Sequence, residues 1–324
     1  MHFLISHAGA GSDHPQCQAA ISQLALPKLT ELLGLLTIRP PISGSPESLT
    51  PLRERLRAHH MGLTADDGLV PWAALDAHQL GLTKMHGNAG WGWITPCHLR
   101  NQGELFYMDD PQELRITSQE CDTLRTAMQR YFQEDGIALY PLSDSTWLAH
   151  GAVFKDLPTA SLERVVCSTI NHWVPRQENA RHLRRLQNEM QMLLYTHEVN
   201  EKRKTKNLPA INAFWVSGTG TLIQDFNTHT MNQHTSPATP QWDTSLRHAA
   251  QRDDAVNWVK AWHELDAGML AELVQRAKMG KHPLVVTFCG EHRAITLELQ
   301  DKPWWMRVKQ QFSSSAPQQL VQSL

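Results

Sequence analysis

Short apolar strands alternate with helices at both ends of this chain, and no other feature constrains its fold as strongly. His2–Ser6 has the composition of a buried strand, and a helix interrupted by a proline is predicted over Gln18–Leu36. Near the other end, a helix is predicted over Arg252–Lys278, followed by strands at Leu284–Cys289 and Ala294–Leu299. Because such alternation is typical of helices layered on a sheet, the sequence predicts an α/β fold.

The middle of the chain has the pattern of a small α+β lobe. Strands are predicted at Trp91–Leu99 and Glu104–Met108, and again at Ile137–Tyr140 and Trp147–Ala149. Between these pairs, Thr117-Ser-Gln-Glu120 matches a capping box, in which a hydroxyl and a carboxylate bond the unpaired amides of the first helical turn. Apolar residues then recur at helical spacing, at Cys121, Leu124, Met128 and Phe132, and predict a buried helix face. The predicted fold is therefore an α/β main domain with an inserted α+β lobe.

These patterns divide the chain into four parts. Residues 1–90 and 205–312 are predicted to form one discontinuous α/β domain, with 91–158 as the inserted lobe. Residues 159–204 are predicted to be connecting helices. The Ser- and Gln-rich segment 313–324 is predicted to be a disordered tail.

Charge and apolar content argue against several classes of protein. Thirty Lys and Arg nearly balance 32 Asp and Glu, so there is no general field for nucleic acid or a membrane surface. The longest apolar runs, such as Leu32–Ile38, are far shorter than the roughly 20 residues that span a bilayer. Five scattered cysteines without a CxxC motif indicate free thiols. We expect a cytoplasmic protein without a membrane partner, and a nucleic-acid partner is disfavoured.

The densest basic cluster ends a predicted helix. Lys202–Lys206 carries four cations in five positions, and the buried strand Ile211–Val216 and the glycine-rich turn Ser217–Gly220 follow it. Interleaved glutamates favour a solvated, ion-paired helix surface. An anion site at the helix end is the alternative, because a guanidinium binds two phosphate oxygens at once. The sequence leaves both interpretations open.

Two stretches around this cluster resemble a known family. Thr196-His-Glu-Val-Asn-Glu-Lys-Arg203 and Leu208-Pro-Ala-Ile-Asn-Ala-Phe-Trp-Val-Ser-Gly-Thr-Gly220 are similar to motifs of the archaeal-type bisphosphoglycerate-independent phosphoglycerate mutases. Asp109–Met128 and Glu134–Tyr140 resemble segments that precede them in that family. The likeness covers about residues 90–220, and it is greatest to an uncharacterised or regulatory proteobacterial branch.

The resemblance implies a fold and a chemistry. The family has an alkaline-phosphatase-like fold in which two divalent metals, Mn or Zn, activate a serine that carries a phosphoryl group. It also implies that Arg203 lies near a small phosphorylated metabolite. The residues expected to bind this ligand are His197, Asn200, Arg203, Gly218 and Gly220.

The metal-binding motifs of the family are largely replaced. His7-Ala8-Gly9 stands where the family has Asp-Gly, and the nearest serines to its nucleophile, Ser45 and Ser48, are not followed by Asp. These two serines are the catalytic candidates. The metal-ligand candidates are His7, Asp13, Asp266, Glu291 and His292. Against these roles, a polar loop without a ligand is favoured at 7–13, and an ordinary hairpin turn is favoured at 290–293.

Two functions remain as hypotheses. The first is a pseudoenzyme that binds a small phosphorylated metabolite in a non-catalytic or regulatory role and needs no cofactor. The alternative is an active phosphoglycerate mutase or phosphatase with altered ligands for two divalent metals. The replaced motifs favour the first hypothesis, for which purified protein would hold no stoichiometric metal pair. Neither hypothesis specifies an oligomeric state.

Overall fold

The chain is a mixed α/β protein that forms two compact units. The structure is a computed structural model that describes residues 1–11, 14–84, 89–222, 240–280, 283–300 and 317–324. The first unit comprises Met1–Glu47, Pro51–Gly62 and Thr228–Leu324, and the second comprises Ser48–Thr50 and Leu63–Asn227. The predicted mixture of strands and helices is therefore confirmed.

The described elements are as follows. The strands are β1 (His2–Ile5), β2 (Thr37–Ile38), β3 (Ile42–Ser43), β4 (Gly90–Cys97), β5 (Leu99–Gln102), β6 (Leu105–Met108), β7 (Ala138–Ser143), β8 (Thr146–Gly151), β9 (Ala213–Gly220), β10 (Gln241–Asp243), β11 (Val285–Cys289) and β12 (Arg293–Glu298). The helices are α1 (Pro15–Ala20), α2 (Pro27–Leu35), α3 (Leu52–His60), α4 (Trp72–Gln79), α5 (Ser118–Glu134), α6 (Arg181–Tyr195), α7 (Glu198–Thr205), α8 (Arg247–Gln251), α9 (Ala255–Leu265), α10 (Ala271–Lys278) and α11 (Pro317–Gln322).

The first unit is built on a mixed sheet with the order β10-β1-β11-β12-β2, in which β3 also pairs with β12. The strand β1 is parallel to both of its neighbours, and all four of its residues are buried. A strand that is covered on both faces has consecutive apolar residues, and this apolar run is what predicted β1. The strands β11 and β12 form an antiparallel hairpin, closed by the Gly290 amide donating to the Arg293 carbonyl at 2.9 Å.

Helices α2, α9 and α10 supply the main core of this unit. Trp258 and Trp262 are fully buried in it, and the Trp262 ring stacks on Phe288 of β11 at 6.3 Å between centroids. A π-helical turn, Asp266–Leu270, joins α9 to α10, so helix runs continuously over most of the predicted segment. The two indoles are therefore packing residues of this core.

The second unit is built on an antiparallel sheet with the order β7-β8-β4-β9. Helix α5 begins with the predicted capping box. The Thr117 hydroxyl accepts from the Glu120 amide at 3.2 Å, and the Glu120 carboxylate accepts from the Thr117 amide at 2.9 Å. Its predicted apolar face, which includes Leu124, Met128 and Phe132, is buried in the core of this unit. Local sequence therefore determined both the start and the buried face of α5.

The two units divide the chain at other positions than the predicted domains. The strand β9, assigned to the main domain, pairs with β4, with Ile94 opposite Val216. Residues 63–90 and 205–227 accordingly lie in the second unit together with 91–158. Apolar pattern specifies that a segment forms a strand but not which strand it pairs with, and this pairing joins segments far apart in sequence.

Two further predictions need correction. Within the predicted connecting helices, 159–170 contains only the 3₁₀ turn Leu162–Arg164, while α6 and α7 do form. β-Bridges from β6 to Val166 and Thr169 hold parts of this segment in an extended rather than a helical conformation. In the predicted disordered tail, residues 317–322 form α11, whose Leu320 and Val321 are buried in the first core, because apolar burial outweighs the polar composition. Residues 313–316 lie outside the described residues.

In the described part of the chain, no helix is both long and apolar enough to cross a membrane.

Candidate functional site

Arg203, the predicted phosphate ligand, is fully buried in the second unit and bonded on three sides. Its Nε donates to the Pro209 carbonyl at 2.7 Å, Nη2 to the Leu114 carbonyl at 2.5 Å and Nη1 to the Glu120 carboxylate at 3.1 Å. The guanidinium fork therefore binds two turns and the start of α5. These bonds give Arg203 a structural role, because protein acceptors already occupy its donors. Anion binding by Arg203 stays a prediction.

The neighbouring candidates also hold the chain together. The Asn200 amide donates to the Leu194 and Ile211 carbonyls and accepts from the Ile211 amide, all within 2.8 Å. His197 caps α7, with its Nδ1 accepting from the Val199 amide at 3.2 Å, and burial lowers the pKa of its ring. Together they fix the turn between α6 and α7 and the approach to β9, which is a structural role.

The glycine-rich turn is part of a strand rather than a loop. The strand β9 continues to Gly220 and pairs with β4 across an irregular register between Trp91 and Trp93. Gly218 has φ 63°, and a Cβ there would lie 2.8 Å from the Trp93 ring. Glycine is needed at this position for conformation and close packing, and phosphate binding by this turn stays a prediction.

The two candidate nucleophiles lie in structural turns. Ser48 is buried, and its hydroxyl lies 2.6 Å from the Asp67 carboxylate and 2.9 Å from the Thr50 carbonyl. Asp67 also accepts from the amides of Leu49 and Thr50. Ser45 is exposed and accepts from the Glu47 amide. These bonds close local turns of the chain.

Asp266, a candidate metal ligand, caps a helix instead. The carboxylate is 3% exposed, and its two oxygens accept from the amides of Lys28 and Leu29 at 3.1 and 2.8 Å. These amides open α2 and have no partner within that helix. The π-helical turn that begins at Asp266 places the carboxylate at this helix end. The described bonds give Asp266 a helix-capping role, and metal binding by it stays a prediction.

His7, Glu291 and His292 follow the carboxyl ends of β1 and β11, the edge where open α/β sheets bind ligands. Glu291 and His292 form the hairpin turn after β11, with 3.9 Å between the nearest carboxylate and ring atoms. The end of α11 and Leu324 pack beside Gly9 and Gly290 at this edge. Asp13 lies outside the described residues.

The family's pair of divalent metals does not fit these side chains. Within the ranges that the structure describes, no group of three or more His, Cys, Asp or Glu side chains is arranged to hold a metal ion. The carboxylate oxygens of Asp266 are already bonded to amides, and Glu291 with His292 supplies only two ligands of a centre that needs more.

A cleft in the first unit, which sequence analysis did not identify, has the features of a ligand site. It has a volume of about 640 Å³ and lies between α3, the β2–β3 segment and one face of the sheet. Helix α3 packs through Leu52 and Leu56 on Leu4, Cys289 and Ala294 of that face. The lining side chains are His2, Arg39, Ile42, Ser43, Leu52, Arg55, Leu56, His59, His60, Val285, Thr287, Thr296 and Glu298.

Three of the histidines that line this cleft lie next to one another. The rings of His2 and His60 meet edge to face at 4.6 Å, and those of His59 and His60 lie 5.9 Å apart. The Nε2 of His2 is 2.8 Å from the Thr287 hydroxyl. Burial, and then His60, lowers the pKa of His2 to about 4, while burial and His59 lower that of His60. Both rings are therefore neutral at pH 7 and able to donate or accept a hydrogen bond.

Two arginines reach the same cleft. Arg39 is bonded to Glu298, with 2.6 Å between its Nε and the carboxylate, so these two charges compensate each other. Arg55 projects from α3, and its buried Nε has no hydrogen-bond partner among the described residues. Because a buried donor without a partner costs free energy, this atom favours a ligand with an acceptor oxygen.

A sequence signal for the cleft existed in Leu52–His60. Arg55 and His59 are four residues apart and so share one helix face, and His60 extends it. The signal was incomplete, because the sheet residues opposite the helix come from both ends of the chain.

Comparison with known proteins does not assign this chain to a family. No family model matches the sequence, and no curated protein matches it. A solved protein from Pyrococcus horikoshii has 13% identity and a TM-score of 0.39, over 92% of this chain and 87% of that one. The cofactor-independent phosphoglycerate mutase from Thermoplasma acidophilum has 14% identity and a TM-score of 0.37, over 93% and 90%. TM-scores this low assign neither an activity nor a site to this chain.

Proposed function

We propose that this chain is a phosphoglycerate-mutase-related protein, with a derived alkaline-phosphatase-like fold, that binds a small phosphorylated metabolite without catalysis. The cleft of the first unit is the proposed site, and its role is regulatory. The observation that carries the proposal is the Nε of Arg55, a buried cationic donor without a described partner in a cleft of ligand size.

The chemistry of the cleft suits a phosphate group. Arg55 supplies a fixed positive charge with donors in a planar fork, which matches phosphate oxygens. His59 and His60 lie on the same helix and offer ring nitrogens as further donors. A dianion beside a neutral histidine raises its pKa, so binding at neutral pH is expected to take up protons.

The bonds at the mutase-like positions support a non-catalytic role. Ser48 and Asp266 occupy the candidate nucleophile and metal positions, and both are engaged in bonds that hold turns and helix ends. A serine nucleophile needs a base or a metal to lower its pKa, and a metal ligand needs free lone pairs. We therefore expect metal analysis of chelator-free protein to find less than one divalent ion per chain.

The alternative function is an active, metal-dependent mutase or phosphatase with altered ligands. The sequence resemblance at 196–220 favours it, as does the position of Glu291 and His292 beyond β11. Two Mn²⁺ or Zn²⁺ ions per chain, together with turnover of a phosphoglycerate, would replace the first proposal with this one.

Calorimetric titration of phosphoglycerate, phosphoenolpyruvate and inorganic phosphate tests the proposal. Arg55→Ala should weaken binding by about one to two decades, since a hydrogen bond to a charged group contributes about 1.5–3 kcal/mol. Arg57→Ala is the matched control, because Arg57 lies on the same helix, is exposed and does not line the cleft. Equal weakening by both substitutions, or no binding of any phosphate monoester to wild type below millimolar concentration, would contradict the proposal.

A further inference from the structure

The lining of the cleft combines polar and aliphatic side chains. The polar ones include His2, Arg55 and two further histidines, and the aliphatic ones include Ile42, Leu56 and Val285, which are together called the aliphatic wall. Ile42 is 44% exposed although it lies in a pairing strand. An apolar wall beside a cationic group is the usual arrangement of a site that binds an apolar body by one charged end.

The size of the cleft exceeds what a phosphate group needs. Its volume of about 640 Å³ lies within the roughly 300–1,000 Å³ of sites for drug-sized ligands. Phosphoglycerate bears hydroxyl and carboxylate groups all along its body. Against the aliphatic wall these groups would lose water without gaining partners, which disfavours so polar a body.

We propose that the ligand of this cleft is a phosphate monoester of an apolar alcohol, with its phosphate on Arg55 and its hydrocarbon body on Ile42, Leu56 and Val285. This inference rests on the proposed function for the phosphate and adds the class of the body. A soluble ester fits better than a bilayer lipid, because the enclosed volume accommodates a short chain rather than two acyl tails.

A series of methyl, butyl and hexyl phosphates separates the two parts of the ligand. Each methylene that leaves water is expected to increase affinity up to about fourfold. Since the cleft is open on one side, butyl phosphate should bind about tenfold or more tightly than methyl phosphate, and hexyl phosphate more tightly again. Arg55→Ala should weaken all three esters by a similar factor and leave the gain per methylene unchanged.

The wall is tested by a matched pair of substitutions. Ile42→Ser should reduce the gain from methyl to butyl phosphate severalfold, because the serine removes the aliphatic surface that the chain contacts. Ile38→Ser should leave that gain unchanged, since Ile38 is similarly exposed at 45% on the neighbouring strand but does not line the cleft. The melting temperature of both variants would be measured to establish that they fold.

The outcomes distinguish this inference from the function on which it rests. Equal affinities for the three esters, or an unchanged gain in Ile42→Ser, would overturn the apolar ligand class. Tight binding of phosphoglycerate in the same titrations would still support the proposed function. Binding to phosphatidylcholine vesicles containing phosphatidic acid but not to hexyl phosphate would overturn the soluble ester. If hexanol binds as tightly as hexyl phosphate, the phosphate contact itself is refuted, and with it the proposed function.

Discussion

Replacement of Arg203 by alanine should destabilise the protein strongly, in contrast to the mild effect expected of a surface phosphate ligand. The side chain is fully buried, and its three donors bond Glu120, Leu114 and Pro209. Its loss leaves the Glu120 carboxylate, which is only 19% exposed, without its cation. Breaking a buried ion pair by removing one partner typically costs about 3–5 kcal/mol, and we expect a decrease in unfolding free energy of that size.

Urea unfolding followed by circular dichroism measures this decrease, and amide hydrogen exchange locates it. Loss of the Arg203 guanidinium should increase amide exchange at the start of α5 and in α7, because the guanidinium connects these two helices. Lys202→Ala is the control. Lys202 is 69% exposed and paired with Glu198 one turn away, so its loss should change stability by about 0.5 kcal/mol or less.

Arg203→Lys separates charge from geometry. Lysine retains the positive charge but supplies one ammonium in place of a fork that reaches three acceptors, so an intermediate loss of stability is expected. A stability change below about 1 kcal/mol in Arg203→Ala, combined with weaker binding of phosphorylated compounds, would refute the structural role and restore the sequence-based one.

Three further predictions concern single residues. Asp266→Ala should lower the unfolding free energy by about 1–3 kcal/mol because two buried amides of α2 lose their acceptor, and an unchanged urea midpoint would contradict the capping role. His2 has a pKa near 4 in the folded protein against about 6.5 unfolded, so the unfolded state binds the extra proton. Stability should thus fall as pH decreases from 6.5 to 4, by about 2 kcal/mol, and His2→Phe should abolish this part of the pH dependence in urea melts. Gly218→Ala should cost more than Gly103→Ala, since both have positive φ but only the first would bring a Cβ to 2.8 Å from the ring of Trp93; equal losses in thermal unfolding would refute the close-packing argument.

Local features of the fold followed from the sequence. The capping box at Thr117 and the apolar spacing from Cys121 to Phe132 predicted where α5 begins and which face it buries. The continuous apolar runs at β1 and β11 predicted buried strands. These features depend on contacts between residues a few positions apart, so their physical cause is present in the local sequence.

The roles of the charged and polar residues were decided by the tertiary structure. Arg203 meets a carboxylate 83 positions away, and Asp266 caps amides 237 and 238 positions away. A cationic cluster before a strand is equally consistent with an anion site and with a buried arginine whose donors bond protein acceptors. The choice depends on whether folding brings an acceptor or solvent to the guanidinium.

The pairing of β4 with β9, and with it the division into units, also depended on tertiary structure. So did the cleft, whose wall combines α3 with strands from the two ends of the chain. The sequence by itself determined which segments are helices and strands, because periodicity and capping act within a few residues. Only the folded chain determined which side chains meet, because partners distant in sequence are brought together by closing long loops, whose outcome no local pattern specifies.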